Sequence, residues 1–257
     1  MKPVIKSLLL NYTKDYVLIV LGMVKRYGQR RRYSQEEKVY NLIEYPLDES
    51  SPKAYPQKLC DYLTERYKIW PCSLLLDVGC GRGFYVRAFR RNRIIAIGMD
   101  SESVQEPTAC PAWIVDIEKP WPLSDNLCDY VFCKSTLEHT REPLDVLKES
   151  YRVLKPNGTA IFLVPDWLSQ WKNFYDDSTH RRPFTQKGLL QSLQLAGFRD
   201  VECENFYQLP FLWSRPWLRW IPPIVAILPD TTKYRAGKQN KLIRFSKERM
   251  LLASGVK

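Results

Sequence analysis

Two histidines in 257 residues leave little from which to build a histidine metal site. Seven cysteines stand at 60, 72, 80, 110, 128, 133 and 203, and no two form a Cys-x-x-Cys pair. Both facts argue against a zinc site and a disulfide framework, and no metal-ligand set is read from the sequence. Scattered thiols suit a reducing compartment. Long apolar runs are missing too. The stretch Tyr16–Val24 is nine residues, too few to cross a bilayer. "KRYGQRRR" follows it where a small-residue cleavage site would stand, so no secretory signal is expected. No window repeats itself, which excludes solenoids and propellers. A phosphate loop ending in Gly-Lys-Ser/Thr is also absent.

What is present begins with charge. The net charge is +11, unevenly held. Residues 1–38 carry nine Lys and Arg against three acids, and residues 233–257 carry eight against one. The middle is close to neutral. Basic ends suit nucleic acid, an anionic membrane surface or a phosphorylated substrate. Ile5, Leu8, Leu9, Tyr12, Tyr16, Ile19 and Met23 share one face of a predicted helix, which suits either a membrane surface or the protein's own core. Residues 1–50 are therefore read as a basic, amphipathic extension, and 51–257 as the globular domain.

Continuous apolar strands alternate with helical patterns from about Pro52. Strands are predicted at 73–78, 93–100, 112–117, 128–136, 159–165, 199–206 and 248–256. Helices are predicted at 51–67, from the glycine turn to about Arg91, at 142–155 and at 183–198. Thr185 is set to cap the last of these, and Gly197 to end it. The fold class expected is α/β: a Rossmann-like sheet of seven mostly parallel strands with helices on both faces, mixed beyond strand five. A Trp- and Pro-rich insertion, 207–247, precedes the last strand. Its prolines exclude a long helix, and its aromatic and Arg content over 207–230 suits a membrane interface or a lid.

"LLLDVGCGRGFYVRAF" (74–89) is the most informative stretch. A buried strand runs through Asp77 into Gly79, Gly81 and Gly83. In open parallel sheets ligands bind beyond the carboxyl ends of the strands, where the topology reverses. Asp100 closes the second strand, at a distance that suits a carboxylate on ribose hydroxyls. Dinucleotide binders use G-x-G-x-x-G, whereas here the spacing is G-x-G-x-G with an acid two before the first glycine. That acid suits a cationic ligand better than a pyrophosphate. S-adenosyl-L-methionine carries a sulfonium and an ammonium.

These residues resemble motif I of the class I SAM-dependent methyltransferases, of the type 11 kind that serves small molecules, sugars and lipids. "IVDIEKPWPLSDNLCDYVFCKSTLEHTREP", "LKPNGTAIFLVPD" and "THRRPFT…LLQSLQLAGF" extend the resemblance over about residues 55–205. It implies S-adenosyl-L-methionine as cofactor. It implies a binding set of Asp77, Gly79, Cys80, Gly81, Gly83, Asp100, Ser101, Asp116, Ile117 and Lys134. Asp100 is expected on the ribose and Asp116 with Ile117 at the adenine; Cys80 is expected to pack rather than react.

Methyl transfer from a sulfonium needs alignment above all, and a base if the acceptor is a hydroxyl. His139, in "LEH", and His180, beside Asp176 and Asp177, are the catalytic candidates. The expected acceptor is a small-molecule, sugar or lipid-linked hydroxyl, in a bacterial surface-polysaccharide or secondary-metabolite pathway. The expected location is cytoplasmic, with membrane contact through 1–32 and 207–230. The Asn-Pro-Pro-Tyr/Phe tetrad that the family uses on bases and amides is replaced by "KSTLEH", which argues against nucleic acid. RNA methylation, a non-catalytic scaffold and a nicotinamide oxidoreductase are the rival readings.

Overall fold

A computed structural model of the chain describes residues 54–101, 112–228 and 241–257. The predicted extension 1–50, with its amphipathic face and its membrane contact at 1–32, lies outside them. So does the part of the insertion at 229–240.

The described chain runs α1 (Ala54–Arg66), β1 (Leu74–Val78), α2 (Phe84–Arg91), β2 (Ile95–Asp100), β3 (Ala112–Ile114) and β4 (Cys128–Lys134). A 3-10 turn at Leu137–His139 leads to α3 (Pro143–Val153) and β5 (Leu154–Pro165). Then follow α4 (Trp167–Gln170), α5 (Gln186–Leu195), β6 (Arg199–Phe206), α6 (Pro210–Trp213), α7 (Ile221–Val225), α8 (Lys241–Lys247) and β7 (Met250–Val256). The seven strands form one sheet in the order β3-β2-β1-β4-β5-β7-β6. Pairings from β3 through β5 are parallel, and β7 lies antiparallel between β5 and β6. The mixed edge expected beyond strand five is this reversal.

Burial explains the continuous apolar strands. All five residues of β1 are buried, because both faces of the sheet are covered. On one face Leu59 and Leu63 of α1 and Val86 and Phe89 of α2 pack with Leu75, Phe132 and Ile161. On the other lie Val146 and Leu147 of α3 and Leu189 and Leu193 of α5, all fully buried. Thr185 caps α5 by accepting a hydrogen bond from Gly188 N at 3.2 Å. Gly197 follows with φ +104°, a left-handed conformation suited to glycine.

Two strand boundaries differ most from the sequence reading. β3 stops at Ile114, so Asp116 and Ile117 lie in the turn beyond it. β5 begins at Leu154 rather than 159, because "KPNG" is a bulge within the strand: the pairing register with β4 shifts between Cys128 and Tyr130. A side chain at Gly158 would press on the Asp129 and Lys155 carbonyl oxygens, both 2.9 Å from its Cβ position, so glycine closes that bulge.

The insertion is also not uniform. Leu209 and Leu212 are buried, and Trp213 packs against Tyr55, Tyr62 and Phe206 with ring centroids 5.9, 5.2 and 5.3 Å away. This first part belongs to the core. Further along, Trp217, Trp220, Ile224, Ile227 and Leu228 are exposed. No helix among the described residues is long and apolar enough to cross a membrane.

Candidate active site

The glycine turn leaves β1 beside the point where strand order reverses, between β1 and β4. Gly79, Gly81 and Gly83 all have positive φ, at 73°, 50° and 68°. Their surroundings differ. A Cβ on Gly79 would overlap the Thr136 side chain, which stands beyond β4, whereas one on Gly81 would meet nothing within 4 Å. The first glycine is therefore required by the protein's own packing. The second opens toward ligand space. Gly83 sits immediately before α2.

Hydrogen bonds tie this turn to β2. Gly79 N and Cys80 N both donate to the Met99 carbonyl, at 2.7 and 3.1 Å. Gly81 N donates to Asp100 Oδ2 at 2.7 Å, and Ser101 Oγ donates to Asp100 Oδ1 at 3.4 Å. Asp100 thus stands at the mouth of the turn with Ser101 beside it. Cys80 is buried, and a Cβ on Gly98 would overlap its sulfur, so the thiol packs on β2. Only the backbone of Cys80 faces the turn's opening.

Beneath the loop lie Asp77, Lys134 and Glu138. Asp77 is buried, and its Oδ2 has no hydrogen-bond partner. Burial pushes its carboxyl well above the usual range, Asp100 adds to that, and Lys134 opposes it. Burial in turn lowers Lys134, against the pull of Glu138 and Asp77. Lys134 Nζ contacts Ser135 Oγ at 3.0 Å and lies 5.7 Å from the centre of the Tyr85 ring. At the edge past β3, Asp116 Oδ1 accepts from Glu118 N at 3.2 Å, and the Asp116 carboxylate pairs with Lys119 at 3.5 Å. The Ile117 carbonyl accepts from Trp121 Nε1 at 3.0 Å. These bonds fix the turn's shape at the expected adenine end.

The two histidines, 41 positions apart, are brought together by the loop after β5. Arg181 N and Arg182 N both donate to the Glu138 carbonyl, at 2.7 and 3.1 Å, which pins that loop to the 3-10 turn after β4. The His139 and His180 rings then lie 4.8 Å apart. His139 Nδ1 meets Thr179 Oγ1 at 2.7 Å, and Thr179 Oγ1 donates to Asp177 Oδ1 at 2.6 Å. His180 Nδ1 meets the Phe174 carbonyl at 2.6 Å, and its Nε2 is 3.6 Å from Asp177 Oδ2. Burial pushes His139 down to about 4, with His180 adding to the shift, so its imidazole is neutral at pH 7. Burial pushes the Glu138 carboxyl up to about 8. Arg182 is directed elsewhere, donating to the Arg141 carbonyl and pairing with Glu142 at 3.2 Å.

Comparison with known proteins agrees with this layout. A family defined as a methyltransferase domain matches residues 76–162, from within β1 to within β5. Residues 76–162 thus resemble a methyltransferase domain, and the described fold is shared with solved SAM-dependent methyltransferases. An uncharacterized methyltransferase of Mycobacterium sp. (strain KMS) is 25% identical over 165 residues, covering 58% of this chain and 65% of that one. The chain thus spans a little under two thirds of that relative's length. A SAM-dependent methyltransferase from Archaeoglobus fulgidus superposes with a TM-score of 0.58 at 20% identity, over 87% of this chain and all of that one. A Haemonchus contortus phosphoethanolamine N-methyltransferase, solved with S-adenosyl-L-methionine, gives 0.58 at 16% identity, over 89% of this chain and 58% of that one.

The residues present fit S-adenosyl-L-methionine. Open space at Gly81, the Asp100 carboxylate beside it and the partnerless Asp77 oxygen below suit a cationic, ribose-bearing ligand. Thr136, Glu138 and Thr179 were not singled out in the sequence, whereas Asp177 was, as a neighbour of His180. Glu138 had one available signal, an acid placed directly before His139. Thr136 had none, because its role depends on packing across the sheet against Gly79.

Proposed function

We propose that this chain transfers the methyl group of S-adenosyl-L-methionine to an oxygen of a small, sugar-like or lipid-linked acceptor. The observation that carries the reading is the open cradle at Gly81 and Asp100, set at the strand-order reversal beside the His139–His180 pair. When bound, the cofactor supplies an electrophilic methyl already activated by the sulfonium charge. Asp100 holds the ribose, and the turn amides hold the approach open. Asp116 and Ile117 line the adenine side. His139 and His180 border the acceptor side. Both rings have Nδ1 engaged, which leaves Nε2 of each as the nitrogen available on the acceptor side.

The acceptor class is read from the surface around that side. Loops that leave β5 and β6 emerge at the carboxyl end of the sheet, as the antiparallel β7 requires. They expose Leu168, Trp171, Tyr175, Trp217, Trp220 and Ile227 there. An aromatic rim of this kind suits an amphiphilic acceptor at a membrane surface, with the enzyme on the cytoplasmic side. The test is calorimetric titration with S-adenosyl-L-methionine and S-adenosylhomocysteine, with NADH as control, followed by radiolabelled methyl transfer into a lipid extract. Micromolar binding of the first two and label in the extract are expected. Binding of NADH alone would overturn the cofactor, and label confined to RNA would overturn the acceptor class.

A further inference from the structure

We infer that Glu138, His139 and His180 form a binding site for one divalent first-row transition-metal ion. One ligand atom from each lies within 4.8 Å of the others. Glu138 is 1% exposed, and its Oε2 has no hydrogen-bond partner. A buried carboxyl oxygen left without a partner is costly, and a cation that displaces the carboxyl proton is one of the few things that satisfy it.

The tautomers point the same way. A carbonyl only accepts, so His180 Nδ1 carries the proton that meets Phe174 O. Thr179 Oγ1 has one proton, and it goes to Asp177 Oδ1. Toward His139 the hydroxyl therefore accepts, and His139 Nδ1 is also N–H. With Nδ1 as the N–H, Nε2 of each ring is the atom that can present a lone pair. This is how metal-binding imidazoles are commonly fixed, the far nitrogen donating to a carbonyl or to a carboxylate relay. On His180 that lone pair faces the Asp177 carboxylate at 3.6 Å, two acceptors turned toward each other. A proton on His180 would reconcile that one pair but would leave Glu138 Oε2 unserved. A single metal ion serves Glu138 and both rings.

Two imidazoles and one carboxylate select Mn, Fe, Co or Zn over Mg and Ca, which prefer oxygen alone. The ion would sit on the acceptor side, where it can bind an acceptor oxygen and make it more acidic. That last consequence rests on the methyl-transfer reading; the site itself does not.

The test uses the full chain without a histidine tag. Both of its histidines belong to this cluster, so their ring signals report on it without ambiguity. Co(II) titration should give a saturable visible absorption without the thiolate charge-transfer band, with loss or strong shift of both histidine ring signals. Zn(II) should displace Co(II), and a large excess of Mg(II) should not. Glu138→Gln and His180→Gln should each weaken Co(II) binding at least tenfold. Thr179→Ala, which removes the hydroxyl that links His139 Nδ1 to Asp177, should weaken it about tenfold. Circular dichroism and S-adenosyl-L-methionine affinity, unchanged in the variants, show that the domain is intact. The inference is overturned if the wild-type chain gives no saturable Co(II) signal, if the histidine signals stay unmoved, or if folded variants bind as the wild type does. An intact metal site in a chain that binds no S-adenosyl-L-methionine would instead sink the functional reading alone.

Discussion

Gly79 and Gly81 are two residues apart and have opposite reasons to be glycine. At Gly79 a methyl group would displace Thr136, whose hydroxyl donates to the Val78 carbonyl at 3.4 Å and to the Lys134 carbonyl at 3.2 Å. Gly79→Ala is therefore expected to destabilise the domain by about 2 kcal/mol, from backbone strain and displaced packing, seen as a lower urea midpoint. Gly81→Ala has room, and its main effect should be on cofactor affinity, read by calorimetry. Asp100→Ala removes a charged acceptor and should weaken S-adenosyl-L-methionine about tenfold or more, consistent with ~1.5 kcal/mol for a hydrogen bond to a charged group. Unchanged affinity in both Gly81→Ala and Asp100→Ala would place the cofactor elsewhere. The glycine spacing and the acid were readable because backbone demands leave a local signature. Thr136 and Glu138 were not, because what they do is decided by residues distant in sequence.

Elements were legible where their signals were local. The cap at Thr185 and the stop at Gly197 are side-chain and backbone events within a few residues, and both stand where the sequence put them. Thr185→Ala should cost about 1 kcal/mol in chemical denaturation. The ends of β3 and β5 were misjudged for a physical reason. Apolar residues at 115 and 117 continue the pattern of β3 without a strand neighbour, and the bulge at 155–158 reads as a turn although the ladder resumes across it. The loop after β5 is held by a contact that no local pattern announces. Arg249, just before β7, reaches the buried Asp166 carboxylate at 3.0 Å. Arg249→Ala leaves that charge without its partner and should cost about 3 kcal/mol. Loosening of the 166–185 loop should accompany it, visible as faster hydrogen exchange at Arg181 and Arg182. Stability within about 0.5 kcal/mol of wild type would show that the pair is a surface ornament.

Across the whole molecule, fold class was the most legible property and the acceptor the least. Strand after strand of uninterrupted apolar residues can only be buried on both faces, whatever the details. The insertion after β6 was legible in composition but not in its division of labour. Leu209, Leu212 and Trp213 complete the core, while Trp217, Trp220, Ile224, Ile227 and Leu228 face outward. Removing the whole insertion would thus unfold the domain and say nothing of function. Substituting Trp217→Ala together with Trp220→Ala tests the surface alone. Partition onto anionic vesicles should fall several-fold, with S-adenosyl-L-methionine affinity and thermal midpoint unchanged. Equal partition of variant and wild type would remove this rim from any membrane role.

The position of β7 has a further consequence, for synthesis. Among the described residues β6 pairs with no strand except β7, and β5 borders β6 only through it. A ribosome that has released everything up to Arg249 has therefore made a five-stranded parallel sheet with one bare apolar edge and a sixth strand with nowhere to dock. Until that seven-residue strand arrives, the nascent chain presents an unpaired edge on β5 and an undocked β6, the kind of surface on which chains stick to one another. A chain cut at Arg249 should be recovered in aggregates, and co-expression of residues 250–257 as a separate peptide should restore some of it to solution.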